Sequence, residues 1–180
     1  MIKLQYFIGI QPPRDYAEKI VHLQKLWKNN RLPEVVEPHV TVKAQSGLSA
    51  DLAWVPSIKE VCQQTSPFKI TLGEPAYYAQ DVLYLRVESP QLTNLHLRLV
   101  EAISPPEELI KRYFERENYS PHLTIGQTYW GMSYEELQEM EQKAKDVLAP
   151  FPTFEVQHVQ IYEEYETNKY RKFLEIPLAT

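Results

Sequence analysis

The chain has 180 residues, 43% of them apolar, and its 24 acidic and 19 basic side chains give a formal net charge of −5. This length predicts one domain, or two small lobes that share a core, and the acidic balance disfavours charge-driven binding along a nucleic-acid duplex. The single cysteine, Cys62, excludes an internal disulfide and favours a reducing, cytoplasmic location. We expect no signal peptide, because residues 1–10 contain no basic region followed by a long apolar stretch. We expect no membrane span, because no apolar run approaches the roughly 20 residues that cross a bilayer.

Strand and helix patterns alternate through the first half of the chain. Strands are predicted from apolar and β-branched runs at residues 3–10, 40–44, 68–72 and 82–88. Helices are predicted from the spacing of apolar side chains at residues 12–30 and 49–64. Pro56 conflicts with the second of these helices, which we expect to begin later or to kink at that residue.

The second half of the chain repeats much of this order. Apolar residues at helical spacing predict a helix over residues 92–103, and a polar stretch at 104–119 predicts a loop that can include one helical turn. Ser133 and Glu136 form a capping box that begins another helix. Strands are predicted at residues 122–127, 154–162 and 169–176, with a turn near Thr167-Asn168.

The order of elements is close to a duplication. A strand-helix-strand-helix-strand unit occurs in each half, which predicts an α+β fold with antiparallel pairing and two similar lobes. We expect residues 1–180 to form a single bilobal domain.

A short sequence repeat is the most informative feature of the chain. Pro38-His39-Val40-Thr41-Val42 recurs as Pro121-His122-Leu123-Thr124-Ile125, and both copies lie at predicted strands. Side chains alternate between the two faces of a strand, so each histidine shares a face with its threonine while the aliphatic residues occupy the other face. Two lobes packed with these faces opposed would line one cleft with two histidines and two threonines.

That set of side chains suits phosphoester chemistry without a metal. Displacement at phosphorus needs a base for the attacking oxygen and an acid for the leaving oxygen, and a neutral and a protonated imidazole can supply both. Threonine hydroxyls can donate to the phosphoryl oxygens as charge builds. The structural alternative is a pair of buried histidines that tie the lobes together, with threonines that only favour strand formation. A zinc site is disfavoured because neither motif has a further ligand at suitable spacing.

The two motifs resemble those of the 2H phosphoesterase superfamily, which has two H-x-T/S motifs. The sequence looks most like the bacterial branch of the 2′-5′ RNA ligase and cyclic phosphodiesterase family, from Lys3 to about Ile176. The resemblance implies two pseudo-symmetric α+β lobes, each an antiparallel sheet flanked by helices, around a central cleft. It implies catalysis by His39, Thr41, His122 and Thr124, with no metal or other cofactor.

Four other side chains are weaker candidates for substrate binding. Lys43 continues the predicted face of His39 and could hold a phosphate. Tyr78 and Tyr84 could stack on a base, although tyrosines more commonly cover sheet faces, and Arg86 shares a predicted face with Tyr84.

Gly126 follows the second motif and would leave room for substrate, or else mark an ordinary strand bulge. We interpret His22 and His96, on predicted helices, as surface or core residues, and a functional role for His158 is a minority hypothesis.

Two functional hypotheses from different classes follow. The first is an enzyme that hydrolyses 2′,3′-cyclic phosphates of nucleotides or RNA ends, with a 2′-phosphate as the product implied by the resemblance. Ligation of a 5′-hydroxyl to the cyclic phosphate is a variant of this reaction and uses the same groups. The second hypothesis is a non-catalytic module that binds a nucleotide or an RNA end. A structural protein, supported only by the acidic balance and the Glu-rich stretch 163–166, is a third and weaker reading.

Overall fold

A computed structural model describes residues 4–180, which form two four-stranded antiparallel sheets and the helices that cover them. The strands are β1 Tyr6–Ile10, β2 Val40–Lys43, β3 Phe68–Tyr78, β4 Val82–Glu88, β5 His122–Gln127, β6 Thr153–Val156, β7 His158–Glu166 and β8 Lys169–Pro177. The α-helices are α1 Arg14–Gln24, α2 Leu32–Val35, α3 Val55–Gln63, α4 Pro90–Ile103, α5 Glu107–Arg112 and α6 Tyr134–Val147. Single 3₁₀ turns lie at Arg116–Asn118 and Thr128–Trp130.

The two sheets correspond strand by strand. Their orders are β2-β1-β7-β8 and β5-β4-β3-β6. The second H-x-T motif therefore lies on the edge strand β5, and the first begins at His39, directly before the edge strand β2. The predicted α+β architecture of two antiparallel sheets flanked by helices is therefore confirmed. The halves of the sequence are not the lobes, however, because the first sheet combines strands from both ends of the described chain.

Helices from each part of the chain pack against the other part. α1 follows β1 of the first sheet but contacts α6 and β5 of the second, and α4 follows β4 of the second sheet but contacts β2 of the first. The apolar faces meet in one core, to which Ile8, Val40, Leu85 and Leu123 each contribute a fully buried side chain. Within the described part of the chain, no helix is both long and apolar enough to cross a bilayer.

Several predicted elements differ from the structure in their bounds or their number. The predicted strand at 154–162 is two strands in different sheets, because the chain crosses from one sheet to the other at Gln157. The first helix ends at Gln24 rather than near Asn30, and a separate short helix follows. The predicted loop at 104–119 contains both α5 and a 3₁₀ turn.

The helix predicted from Ser49 begins at Val55, which leaves Pro56 in the first turn, where proline is tolerated. Lys3 lies outside the described residues.

Each motif strand contains a β-bulge directly after its threonine. In β2, Thr41 and Lys43 pair with the adjacent residues Gly9 and Ile8 of β1, so Val42 is an extra residue. A bulge interrupts the alternation of side chains between the two faces of a strand. Lys43 consequently turns into the protein interior instead of continuing the face of His39.

The second motif has the same irregularity. In β5, Thr124 pairs with Tyr84 and Gly126 pairs with the adjacent Leu83, which leaves Ile125 as the extra residue. A Cβ atom on Gly126 would lie 2.8 Å from Cδ2 of Leu137, a buried residue of α6. The expectation that Gly126 leaves room for substrate is therefore wrong, since its missing side chain makes room for the core.

This packing predicts that Gly126→Ala destabilises the fold. The added methyl group has to displace buried side chains, and overpacking of a core costs about 1–3 kcal/mol. Urea denaturation should report that loss in the free energy of unfolding. Gly73→Ala is the matched control, because a Cβ atom there would meet nothing closer than 3.4 Å and should change stability by less than about 0.5 kcal/mol. Equal stability of the two variants would contradict the packing described.

Candidate active site

The two motif strands face each other across a cleft between the sheets. β2 and β5 approach with Cα atoms within 8 Å, and a cavity of about 760 Å³ lies along them. His39, Thr41, His122 and Thr124 all line this cavity, and each is partly exposed to it. The structure thus brings together the four side chains that the repeat singled out.

The hydrogen bonds of the two histidines define their tautomers. Nδ1 of His39 lies 2.9 Å from the carbonyl oxygen of Glu37, and Nδ1 of His122 lies 2.8 Å from that of Ser120. A carbonyl can only accept, so each Nδ1 carries the proton and donates it. Each Nε2 is then the nitrogen that exchanges protons. In both motifs a proline separates the carbonyl from the histidine, and its restricted φ favours this turn.

The His39 ring rests on a pair of stacked aromatic rings. Phe7 and Tyr162 are neighbours in the first sheet, with centroids 4.7 Å apart and planes inclined by 11°. The His39 ring lies 4.9 Å from Phe7 and 5.7 Å from Tyr162. These contacts limit the rotation of the imidazole and keep water from one of its faces.

His122 has an equivalent support in the second sheet. Tyr78 and Tyr84 stack with centroids 4.3 Å apart, and the His122 ring meets them at 5.1 Å and 5.5 Å. The Tyr78 hydroxyl donates to Oγ of Ser120, the residue whose carbonyl orients His122. Both tyrosines pack against the ring of His122, and their stacking on a base stays a prediction. Tyr78 also lines the cleft.

Burial makes both imidazoles poor acceptors of a second proton. Desolvation lowers the pKa of His39 to about 4, assisted by repulsion from His122, while the hydrogen bond to Glu37 opposes the shift. Desolvation also lowers the pKa of His122, against the opposing effect of its bond to Ser120. In the protein alone, both rings are therefore neutral near pH 7.

The structure does not bring Lys43 to the cleft. Its side chain is fully buried, and Nζ forms an ion pair with Oε2 of Glu115 at 2.9 Å. The same nitrogen donates to the carbonyl oxygens of Ala44 and Ser46 at 2.8 Å and 2.6 Å. With its donors engaged in this way, Lys43 is a structural cation. The expectation that it holds a phosphate is therefore wrong, because the bulge at Val42 turns its side chain away from the cleft.

Arg86 also lies apart from the cleft. Its backbone pairs with that of His122 across β4 and β5, but its exposed side chain is not among the residues that line the cavity. The distant His158 is 3.2 Å from Glu175 on the far strands of the first sheet. Among the residues that the structure describes, no group of three or more His, Cys, Asp or Glu side chains is arranged to hold a metal ion.

Two buried side chains that sequence reasoning left without a role hold the bulged strands. His96 of α4 has Nδ1 2.6 Å from the carbonyl oxygen of Val42, and Gln24 of α1 donates to the carbonyl oxygen of Ile125 at 3.2 Å. Val42 and Ile125 are the extra residues of the two bulges, whose backbone groups need a partner outside the ladder. No pattern within α1 or α4 marks these two residues. Their shared role is seen only when the two halves of the fold are compared, because each binds the carbonyl of the extra residue in one bulge.

His96 also anchors the segment that leads into the second motif. Its Nε2 accepts a hydrogen bond from the backbone N–H of Arg116 at 2.9 Å, so the ring is neutral with its proton on Nδ1. The Tyr119 ring stacks on it at 3.8 Å, and the Tyr119 hydroxyl donates to the carbonyl oxygen of Thr41 at 2.7 Å. Both motif strands are thereby tied to one another through His96 and Tyr119.

The chain is similar to known proteins in sequence and in fold. A family model described as the 2′-5′ RNA ligase superfamily matches residues 12–168. The RNA 2′,3′-cyclic phosphodiesterase of Methanocaldococcus jannaschii is 28% identical over 167 residues, which cover 89% of this chain and 91% of that protein. E. coli LigT complexed with 3′-AMP has a TM-score of 0.61 at 17% identity, with 99% of this chain and 100% of LigT covered. TT0787 of Thermus thermophilus has a TM-score of 0.58 at 14% identity, with 97% of each chain covered.

The neutral state of His96 predicts a loss of stability in acid. Burial lowers the pKa of His96 from 6.5 to about 4, so the unfolded chain takes up a proton before the folded one. Stability is then lost as pH falls from about 6.5 towards 4, and this group alone costs about 2 kcal/mol at pH 5. Urea denaturation at pH 7.5 and pH 5 measures the loss.

His96→Gln removes the titration and should lose about 2 kcal/mol less than the wild type between the two pH values. The matched control is His22→Gln, which replaces an exposed histidine of α1 and should follow the wild type. An equal loss in His96→Gln and wild type would show that His96 is not held neutral in the fold.

Proposed function

Because the chain belongs to the 2′-5′ RNA ligase superfamily and is a hydrolase of the 2H phosphoesterase type, we propose that it hydrolyses 2′,3′-cyclic phosphates of nucleotides or RNA ends. His39 and His122 act as the acid–base pair, without a metal, and the product is a 2′-phosphate. The observation that carries the proposal is the pairing of two H-x-T motifs across one cleft, each with an imidazole whose Nε2 is free to exchange a proton. The activity named for the archaeal relative supports the choice of substrate.

The reaction requires only proton transfers that the two imidazoles can provide. One neutral ring takes a proton from water at Nε2 as the water oxygen forms a bond to phosphorus. The bond from phosphorus to the 3′-oxygen breaks, and the second, protonated ring gives its Nε2 proton to that oxygen. The product keeps the phosphate on the 2′-oxygen, and the two rings end with exchanged protonation states.

The bound substrate supplies the electrostatic condition for this pair. A cyclic phosphate carries one negative charge, which raises the pKa of adjacent imidazoles and offsets the desolvation that keeps them neutral in the protein alone. The hydroxyls of Thr41 and Thr124 can donate to the two non-bridging oxygens, where negative charge increases in the transition state. The positions of these hydroxyls beside the histidines support that role.

The product assignment rests on the family resemblance. Ligation follows the same steps in the same direction, with a 5′-hydroxyl in place of water as the attacking group, and would use the same four side chains. Hydrolysis is favoured in water because the attacking molecule is present at far higher concentration.

Substitution of the four motif residues tests the proposal directly. Purified protein is incubated in chelator with each of the four nucleoside 2′,3′-cyclic phosphates, and 2′- and 3′-phosphate products are resolved. His39→Ala and His122→Ala should each abolish turnover, because each removes one proton transfer. Thr41→Ala and Thr124→Ala should reduce kcat by roughly 10- to 1000-fold, as expected for a lost oxyanion donor.

His158→Ala is the matched control, because that histidine is exposed and lies outside the cleft. Its turnover should equal that of the wild type. Activity that disappears in chelator, or that survives in either histidine variant, would overturn the metal-free two-histidine mechanism. Nucleotide binding without turnover would instead support a binding module.

The pH dependence of catalysis should differ between the free enzyme and the complex. The lowered pKa values of His39 and His122 mean that a protonated ring in the free enzyme becomes scarce above about pH 6.5. The bell-shaped profile of kcat/KM, which reports the free enzyme, should therefore lie on the acid side of neutrality. The profile of kcat should lie at higher pH, because bound phosphate raises both pKa values. Coincident profiles would contradict this electrostatic account.

A further inference from the structure

An exposed aromatic side chain stands at the edge of the cleft. Phe114, in the segment between α5 and β5, is 70% exposed and lines the same cavity as the two motif histidines. Single exposed apolar side chains are common on protein surfaces, so what bears on function is that this exposed ring lies on the wall of the cavity that holds both motif histidines.

The backbone at this ring is strained. Phe114 has φ of 53° and Arg116 has φ of 57°, both in the left-handed region that bulky side chains rarely adopt. Such strain persists only where the surroundings impose it, and it concentrates at ligand sites. A segment that only had to close the connection could have used glycine at these positions.

Buried anchors on either side impose the strain. Between the two strained residues lies Glu115, which is 1% exposed, accepts from Ser46 and pairs with the buried Lys43. The backbone N–H of Glu115 donates to the carbonyl oxygen of Ile110 at 2.9 Å, and that of Arg116 donates to His96 at 2.9 Å. Because its neighbour is fixed inward, Phe114 is directed outward.

The chemistry of the cleft indicates what this ring contacts. Among the described residues that line the cavity there is no lysine or arginine, and the carboxylate of Glu115 is already paired with Lys43. Neutral donors can hold the single charge of a cyclic phosphate, but they cannot follow the repeated charges of an RNA backbone. Affinity must therefore come from another part of the substrate, and a nucleobase offers a flat face that stacks on an aromatic ring.

We propose that Phe114 is a stacking platform for the nucleobase of the nucleotide whose phosphate lies between His39 and His122. The chain then recognises one terminal nucleotide through its base, with little contribution from the rest of an RNA strand. This inference rests on the proposed function, because it takes the phosphate position from the two motifs.

Two substrates that differ in the base separate the platform from the catalytic centre. Adenosine 2′,3′-cyclic phosphate carries a base, while glycerol 1,2-cyclic phosphate presents the same five-membered ring without one. Phe114→Ala should raise KM for the adenosine compound by about 5- to 100-fold, with kcat little changed. For the glycerol compound its kcat/KM should equal that of the wild type.

Two further variants complete the design. Phe114→Trp keeps a stacking surface and should retain a KM near that of the wild type. Phe173→Ala removes an exposed aromatic ring that packs against Tyr6, outside the cleft, and should leave both substrates unaffected. A loss of equal size on both substrates, or no loss on adenosine 2′,3′-cyclic phosphate, would overturn the proposal.

Binding of adenosine 2′-monophosphate distinguishes failure of the platform from failure of the proposed function. If the wild type turns over neither substrate, the proposed function fails, and the platform is judged by the Kd of this nucleotide. A Kd raised by about 5-fold or more in Phe114→Ala, with the Kd of inorganic phosphate unchanged, supports the platform. An unchanged Kd, or no binding by the wild type, overturns it.

Discussion

The geometry of the cleft depends on the two β-bulges that end the motifs. Each bulge leaves one residue, Val42 or Ile125, outside the ladder of its sheet, with a carbonyl that must find a partner. His96 and Gln24 supply the partners, and each comes from a helix that the chain topology carries over from the other sheet. The hydrogen bonds that satisfy the bulges are therefore also bonds between the lobes, and they hold the two edge strands face to face.

The correspondence between the halves is close but unequal, and the inequality suits acid–base chemistry. Equivalent prolines, carbonyls and aromatic pairs orient His39 and His122, yet their surroundings differ in burial, and the pKa of His39 falls to about 4. Unequal surroundings favour a state in which one ring of such a pair is charged while the other is neutral. A duplicated scaffold with unequal burial supplies matched geometry together with separated proton affinities.

The sequence predicts which side chains face the cleft as far as the threonine of each motif. It does not predict the orientation of the residues that follow that threonine. The period-2 alternation places His39 and Thr41 on one face, and the repeat places their counterparts opposite. The bulges then break the alternation, which is why Lys43 and Gly126 point inward although their position in the pattern predicts the cleft. A bulge depends on pairing between strands that are distant in the chain, so no local pattern reveals it. The crossing of the chain between sheets at Gln157 likewise leaves no local signal in the sequence.

The buried ion pair of Lys43 and Glu115 fixes the conformation of the chain around Glu115. Removing two charges from water costs free energy that their attraction repays only in part, so such a pair is weak evidence for stability. What the pair accomplishes here is geometric, because it holds Glu115 inward between two residues with left-handed backbones. That same anchor directs the Phe114 ring outward, and the neighbouring His96 and Tyr119 tie the segment to β2. The bulge at Val42 thus turns Lys43 away from the cleft and towards Glu115, and the resulting ion pair shapes the edge of the cleft.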